Sequence, residues 1–88
     1  MKEAVLTIAN HDGFHMRPAG ELVKVTSRFR SRITVERDGL EVDGKSILGV
    51  LMLAAGQSSE IRVRAEGVDE EEAIEAVRKL LEDKFGEE

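Results

Sequence analysis

Four short runs in which apolar and polar residues alternate constrain this chain most. Residues 2–8 read Lys-Glu-Ala-Val-Leu-Thr-Ile, residues 32–37 Arg-Ile-Thr-Val-Glu-Arg, residues 40–43 Leu-Glu-Val-Asp, and residues 60–66 Glu-Ile-Arg-Val-Arg-Ala-Glu. A period near two sends successive side chains to opposite faces of a strand. Each run therefore carries one apolar and one polar face. That pattern belongs to an antiparallel sheet, covered on one side and wet on the other. Asp38-Gly39, between the second and third runs, predicts a tight hairpin.

The segments between the strands carry helical spacing. Over residues 16–29, Ala19, Leu22, Val23, Thr26 and Phe29 recur at three and four residues, which makes one core-facing stripe. Pro18 fits such a helix only in its first turn, where its missing N–H breaks no bond, so the helix starts at or just after His15. Asn10-His11-Asp12-Gly13 breaks the chain before it. After a turn at Gly44-Lys45, Ser46 is positioned to cap a short helix over residues 47–53. That helix is too continuously apolar to be wholly exposed; Val50 and Leu53 are the clearest core candidates. Residues 55–59 read as a loop, and Gly67 ends the last strand. Asp69 and Glu72 have the spacing of a capping box. Ala73, Ile74, Val77, Leu80, Leu81 and Phe85 then form a second amphipathic stripe, with Glu75 and Lys79 spaced as an i,i+4 ion pair. The predicted order is β-α-β-β-α-β-α, an α+β fold with helices on one face of the sheet.

At 88 residues the chain is expected to be a single domain over 1–88. A domain this small buries only about 60–65% of the surface its unfolded form exposes, so a surface site is expected rather than an enclosed one. The net charge of −5 argues against direct nucleic-acid binding. Arg17, Lys24, Arg28, Arg30 and Arg32 nevertheless cluster, while acids crowd residues 66–88. The basic cluster fits either an acidic partner protein or an ordinary solvated face. There is no cysteine, which removes disulfides and thiolate chemistry. No apolar run reaches the roughly 20 residues that span a bilayer, and no secretory signal pattern opens the sequence. A cytoplasmic protein without membrane insertion is expected. His11 and His15 have metal-ligand spacing for a helix, but Asp12-Gly13 interrupts it, so neither a metal nor a cofactor is expected.

The chemistry-bearing motif is Gly13-Phe14-His15-Met16-Arg17-Pro18-Ala19. It sets a histidine at the mouth of a helix, where unpaired N–H groups and the helix dipole favour an anion. An imidazole there can accept a phosphoryl group, and an arginine fork two residues on can hold its oxygens. A histidine at a helix start is by itself more often a cap or a surface residue; the flanking residues change that reading.

On these residues the chain resembles the HPr family, the histidine-containing phosphocarriers of the bacterial phosphoenolpyruvate-dependent sugar phosphotransferase system. A second family motif, around a regulatory serine, is matched by Lys45-Ser46-Ile47-Leu48-Gly49-Val50-Leu51, and the resemblance covers essentially the whole chain. It implies an open-faced two-layer sandwich with three helices and a sheet in the order 1-4-2-3, which the alternation alone does not supply. It implies that His15 is phosphorylated on Nδ1 by phospho-enzyme I and donates to sugar-specific IIA domains, with Arg17 holding the group. It further implies that the first two helices dock these partners, with Met16, Gly20, Lys24, Ile47, Leu48, Leu51 and Met52 as candidate contacts. A monomer is expected. Two residues depart from the pattern. Met16 replaces a small residue and either joins the interface or shields His15; Asp12 brings an acid near the histidine and is expected to point away from it.

Ser46 has a plain reading as an N-cap, worth about 1 kcal/mol. The resemblance adds a regulatory one, in which HPr kinase/phosphorylase modifies it and a catabolite-control transcription factor is a further partner. Two alternatives remain: a paralogue of the nitrogen-related phosphotransferase branch, and a binding protein governed by Ser46 phosphorylation alone. The presence of His15 weighs against the second.

Overall fold

The computed structural model describes residues 1–9, 15–53, 56 and 58–86. Its elements follow in the order β1 (Lys2–Thr7), α1 (Met16–Thr26), β2 (Arg32–Arg37), β3 (Leu40–Asp43), α2 (Ile47–Met52), β4 (Glu60–Glu66) and α3 (Glu70–Glu82), with a closing 3-10 turn at Lys84–Gly86. The strands form one antiparallel sheet in the order β1-β4-β2-β3. This is the architecture and the strand order expected.

Register explains why the sheet has two unlike faces. Leu6 lies opposite Ile61, Val35 opposite Val63, and Ile33 opposite Ala65. All six are buried, together with Ile8 just beyond β1. They meet Ala19 and Leu22 of α1, Val50 of α2, and Ala73, Ile74, Val77 and Leu81 of α3 in one cluster. Full burial of a large aliphatic side chain contributes about 1.5–3 kcal/mol, so this layer carries most of the stabilisation. Val50 and Leu53 are buried as expected.

The opposite face is charged. Arg64 reaches Glu3 of β1 at 2.6 Å, Glu41 of β3 at 3.1 Å and Glu36 of β2 at 3.9 Å. Arg62 lies 3.8 Å from Glu3 and 4.0 Å from Glu36. One arginine on the strand β4 thus touches acids from all three other strands. These acids hold the Arg64 guanidinium above even its ordinary high pKa, the hydrogen bond to Glu3 being the largest cause.

Local chemistry sets the boundaries. Asp38 and Gly39 both have positive φ, 51° and 86°, as the two central residues of a tight hairpin turn require. Pro18 occupies the first turn of α1 and is buried. That helix ends at Thr26, short of the expected 29. Arg28 N–H bonds Val25 O at 3.1 Å and Phe29 N–H bonds Thr26 O at 3.2 Å, so the chain tightens into i→i+3 turns. Phe29 still packs on the core, but from outside the helix. The second helix likewise closes at Met52, with Leu53 as its C-cap.

The expected capping box at Asp69 does not form. Asp69 is the N-cap of α3, but its side chain makes no cap bond. Its carboxylate instead accepts the backbone N–H of Arg30 at 2.8 Å and of Ser31 at 2.9 Å, and the Ser31 hydroxyl. Glu70 instead closes the turn that precedes the helix, its Oε1 accepting the Gly67 N–H at 3.1 Å. Gly67 has φ +153°, and a Cβ there would come within 2.7 Å of Ser31 Cα, so the two segments approach as closely as a glycine permits. The expected Glu75–Lys79 pair is replaced by Glu75 with Arg78 at 3.5 Å.

Candidate functional site

His15 is the N-cap residue of α1, with extended backbone (φ −105°, ψ −172°). Its carbonyl accepts the first bond of the helix from Ala19 N–H at 2.9 Å. Pro18, one residue earlier in that turn, has no N–H to commit, so the turn is preset without spending a donor. The imidazole is half-buried and does not cap the first-turn amides. An anion on this ring would meet the positive end of the helix dipole. Arg17, two residues on in the first turn, is exposed. Gly13 and Phe14, with His11 and Asp12, lie outside the described residues.

The residues expected to dock partners divide by burial. Met16 is 66% exposed, Leu48 75% and Met52 66%, with Ile47 also open to solvent. Met1, Val5, Leu40 and Val68 are exposed as well, so exposure alone does not mark a site; what sets Met16, Ile47, Leu48 and Met52 apart is their place on neighbouring helices. They sit on α1 and α2, which pack against each other. Lys24 is exposed in the last turn of α1 and pairs loosely with Glu21 at 3.7 Å. Leu51 is half-buried and packs on the core, so it contributes less to the open face. An added Cβ at Gly20 would meet nothing within 4 Å, so no neighbour within the chain demands a glycine there.

Ser46 caps α2 as expected: its hydroxyl oxygen accepts the Gly49 N–H at 3.1 Å. Its own N–H donates to Asp43 O at 3.1 Å, and the Asp43 carboxylate accepts the Lys45 N–H at 2.9 Å. The serine thus stands on a fixed turn, directly before the exposed pair Ile47 and Leu48.

Three features of this region were not read from the sequence. Thr26 bonds across to Gly44, Lys45 Nζ reaches Phe29 O, and Arg37 holds the end of α2 through Leu53 O. Each links residues 16 to 18 positions apart, beyond any local spacing rule. Among the described residues no three His, Asp or Glu side chains converge as metal ligands, and no helix is long and apolar enough to cross a membrane.

An open sandwich with a half-buried histidine at the N-cap position of its first helix has the form of a small group carrier. Residues 2–83 match the family model described as "PTS HPr component phosphorylation site". The chain belongs to the HPr family, the phosphocarrier proteins of the phosphotransferase system. It is 45% identical over 87 residues to the phosphocarrier protein HPr of Xylella fastidiosa, covering 99% of this chain and 98% of that protein. Its fold superposes with a TM-score of 0.97 on the crystal structure of HPr-C-His from Thermoanaerobacter tengcongensis, at 48% identity over 100% of this chain and 99% of the other. The phosphocarrier protein HPr of Bacillus anthracis gives 0.88 at 36% identity, over 91% and 95%. Family membership makes the protein a carrier rather than a catalyst.

Proposed function

We propose that His15 is the residue that carries the phosphoryl group, on Nδ1, between phospho-enzyme I and sugar-specific IIA domains, with the chain acting as a one-domain cytoplasmic monomer. The observation that carries this reading is the position of His15 at the N-cap of α1, with its carbonyl already committed to Ala19 and its ring at the positive end of the helix.

The step is an in-line displacement. The Nδ1 lone pair attacks phosphorus as the bond to the donor's own phosphorylated residue breaks, and that residue leaves with the bonding electrons. Catalytic assistance to such a loose transition state is mainly positioning and charge stabilisation of the three peripheral oxygens. The helix dipole supplies one part of it. The Arg17 guanidinium supplies the other, as a planar fork matched to two phosphate oxygens. Transfer onward to a IIA domain reverses the roles. The exposed apolar side chains of Met16, Ile47, Leu48 and Met52 form the centre of the docking surface, and Arg17 and Lys24 its basic rim, which suits a partner with acids around an apolar contact.

Ser46 is the regulatory position of the same surface. Phosphate there would add about −1.5 to −2 charges next to Ile47 and Leu48 and oppose an acidic partner. HPr kinase/phosphorylase would be the modifying enzyme and a catabolite-control transcription factor a reader of the modified form.

The test is direct. Incubated with phosphoenolpyruvate and enzyme I, the protein is expected to take up phosphate that is labile to acid and stable to base. The His15→Ala variant is expected to take up none. Full labelling of that variant would remove the assignment.

A further inference from the structure

The two helices that expose the docking side chains are separated in sequence by the β2–β3 hairpin, so contacts outside either helix set their relation. Helix α2 has only six residues, Ile47–Met52. An isolated helix of that length does not hold itself together in water, so its placement is whatever its anchors impose.

The body of α2 is seated by buried Val50 and Leu53 and its end by Arg37 on Leu53 O, while its start is tied to α1 by separate bonds. Thr26, in the last turn of α1, is completely buried. Its hydroxyl lies 3.2 Å from Val23 O, three residues back in its own helix, the usual resting place for a helical threonine. That partner alone would satisfy it. Yet the shorter approach, 2.8 Å, is to Gly44 O in the turn before α2. A hydroxyl has one proton to give, and the geometry directs it across the gap. Gly44 is gripped from the other side as well. Its N–H donates to Ile33 O of β2 at 2.8 Å, and a Cβ on it would come within 2.9 Å of Ile33 Cγ2. Its two backbone polar groups are therefore shared between the sheet and α1. One residue later, Lys45 Nζ donates to Phe29 O at 2.7 Å, just beyond the C-terminal end of α1.

We propose that Thr26 is a positioning residue for phosphoryl transfer: by bonding Gly44 O it sets α2 against α1 and so pre-forms the surface that Met16 shares with Ile47, Leu48 and Met52. The proposal rests on the docking reading above. A contact surface built from two separate elements is complementary to a partner only while their relation is fixed, and pre-organisation lowers the ordering cost of binding. A hydroxyl serving only to satisfy itself inside α1 would have no such consequence.

Thr26→Ala and Thr26→Ser both delete the γ-methyl and differ only in the hydroxyl, so their comparison isolates the bond. Initial rates of phosphorylation by enzyme I and phosphoenolpyruvate are measured against concentration of the full chain, well below the unfolding midpoint of each variant. Loss of one neutral hydrogen bond predicts KM for Thr26→Ala raised about five-fold over wild type. The expected kcat changes by less than about two-fold, because the chemistry at His15 is untouched. Thr26→Ser is expected to return KM to near the wild-type value. Thr26→Val, which preserves volume, is the second variant and should behave as Thr26→Ala does. An unchanged KM in whichever of these two folds, or an equal rise in Thr26→Ser, would overturn the proposal and leave Thr26 a packing residue. A wild-type chain that takes no phosphate would instead remove the docking reading itself, and this proposal with it.

Discussion

Asp69 and Ser31 stand 38 residues apart in sequence, and the carboxylate of the first takes both the backbone N–H and the hydroxyl of the second. The same carboxylate accepts the N–H of Arg30. The start of α3 is thereby fastened to the segment that leads from α1 into β2. Because the acceptor is ionised, these bonds are of the stronger, charge-assisted kind.

Asp69 makes stability depend on pH in a definite direction. Its hydrogen bond from the Ser31 hydroxyl, then that from Arg30 N–H, hold the carboxyl down at about 2 from an ordinary 3.8. The unfolded chain therefore binds this proton at a higher pH than the folded chain does. The stabilisation is fully present above about pH 4 and is lost as pH falls towards 2. Glu70 is lowered too, chiefly by the Gly67 N–H, and adds in the same direction. In urea titrations, Asp69→Asn should be less stable than wild type at pH 7, and the gap should close between about pH 4 and pH 2. Parallel stability curves down to pH 2 would contradict this account.

The same residue marks where sequence reading stops. The spacing of Asp69 and Glu72 is that of a capping box, a rule that sees only one helix; the true partners of Asp69 come from the far side of the fold. Thr26 was legible as a core position from its place on the α1 stripe, but not its bond to Gly44. The spacing of Phe29 fits the α1 stripe, but the chain tightens after Thr26 and leaves Phe29 outside the helix. Local chemistry was read well wherever it is self-contained: Asp38-Gly39 in the hairpin, Pro18 in the first turn, Ser46 on Gly49 N–H. Alternation told which side of β1, β2 and β4 is buried, since a one-residue slip would expose the core; on the edge strand β3 the apolar Leu40 stays exposed instead. It carried nothing about which strands are neighbours, because every run has the same pattern, and the order came only from family resemblance. For the proposed site, the motif singles out His15 and Arg17, and the apolar run marks α2. Which of its side chains face solvent depended on packing, which turned Leu51 inward and left Leu48 out.

The charged face of the sheet should respond to salt rather than to pH near neutrality. Arg64 joins Glu3, Glu41 and Glu36, all partly open to solvent. Exposed pairs are worth little singly, and screening shortens their reach from about 10 Å at 0.1 M salt to about 3 Å at 1 M. Arg64→Met is expected to lower the thermal midpoint modestly at low ionic strength and by less in 1 M sodium chloride. A midpoint difference that does not change with salt would mean that Arg64 acts through packing of its stem instead.

Arg17 and lysine should not be interchangeable at this site. The guanidinium offers parallel donors to two oxygens at once, whereas an ammonium acts as a point charge. Arg17→Lys keeps the charge, so docking to an acidic partner should persist with KM nearly unchanged. The rate of phosphate uptake on His15 in rapid-quench experiments is expected to fall about ten-fold, a smaller loss than for a donor in a closed site. A fall in affinity without a fall in maximal rate would assign Arg17 to the rim of the interface alone.

Ser46 gives a prediction in which stability and activity move in opposite orders. Its hydroxyl oxygen is the cap of α2, accepting the Gly49 N–H. Alanine cannot cap, and Ser46→Ala should cost about 1 kcal/mol; aspartate is as good a cap as serine, so Ser46→Asp should be nearly as stable as wild type. If the residue were merely structural, activity would follow stability, and alanine would be the worse variant. The docking reading requires the reverse. Aspartate sets a negative charge directly before Ile47 and Leu48, where an acidic partner approaches, whereas alanine leaves that face neutral. Ser46→Asp is therefore expected to raise KM for phosphorylation by enzyme I about ten-fold, in line with a like-charge contact at an interface, while Ser46→Ala stays near wild type. Urea unfolding and phosphorylation kinetics on the same two preparations measure both orders. Wild-type kinetics in Ser46→Asp would show that a charge at this position does not control docking.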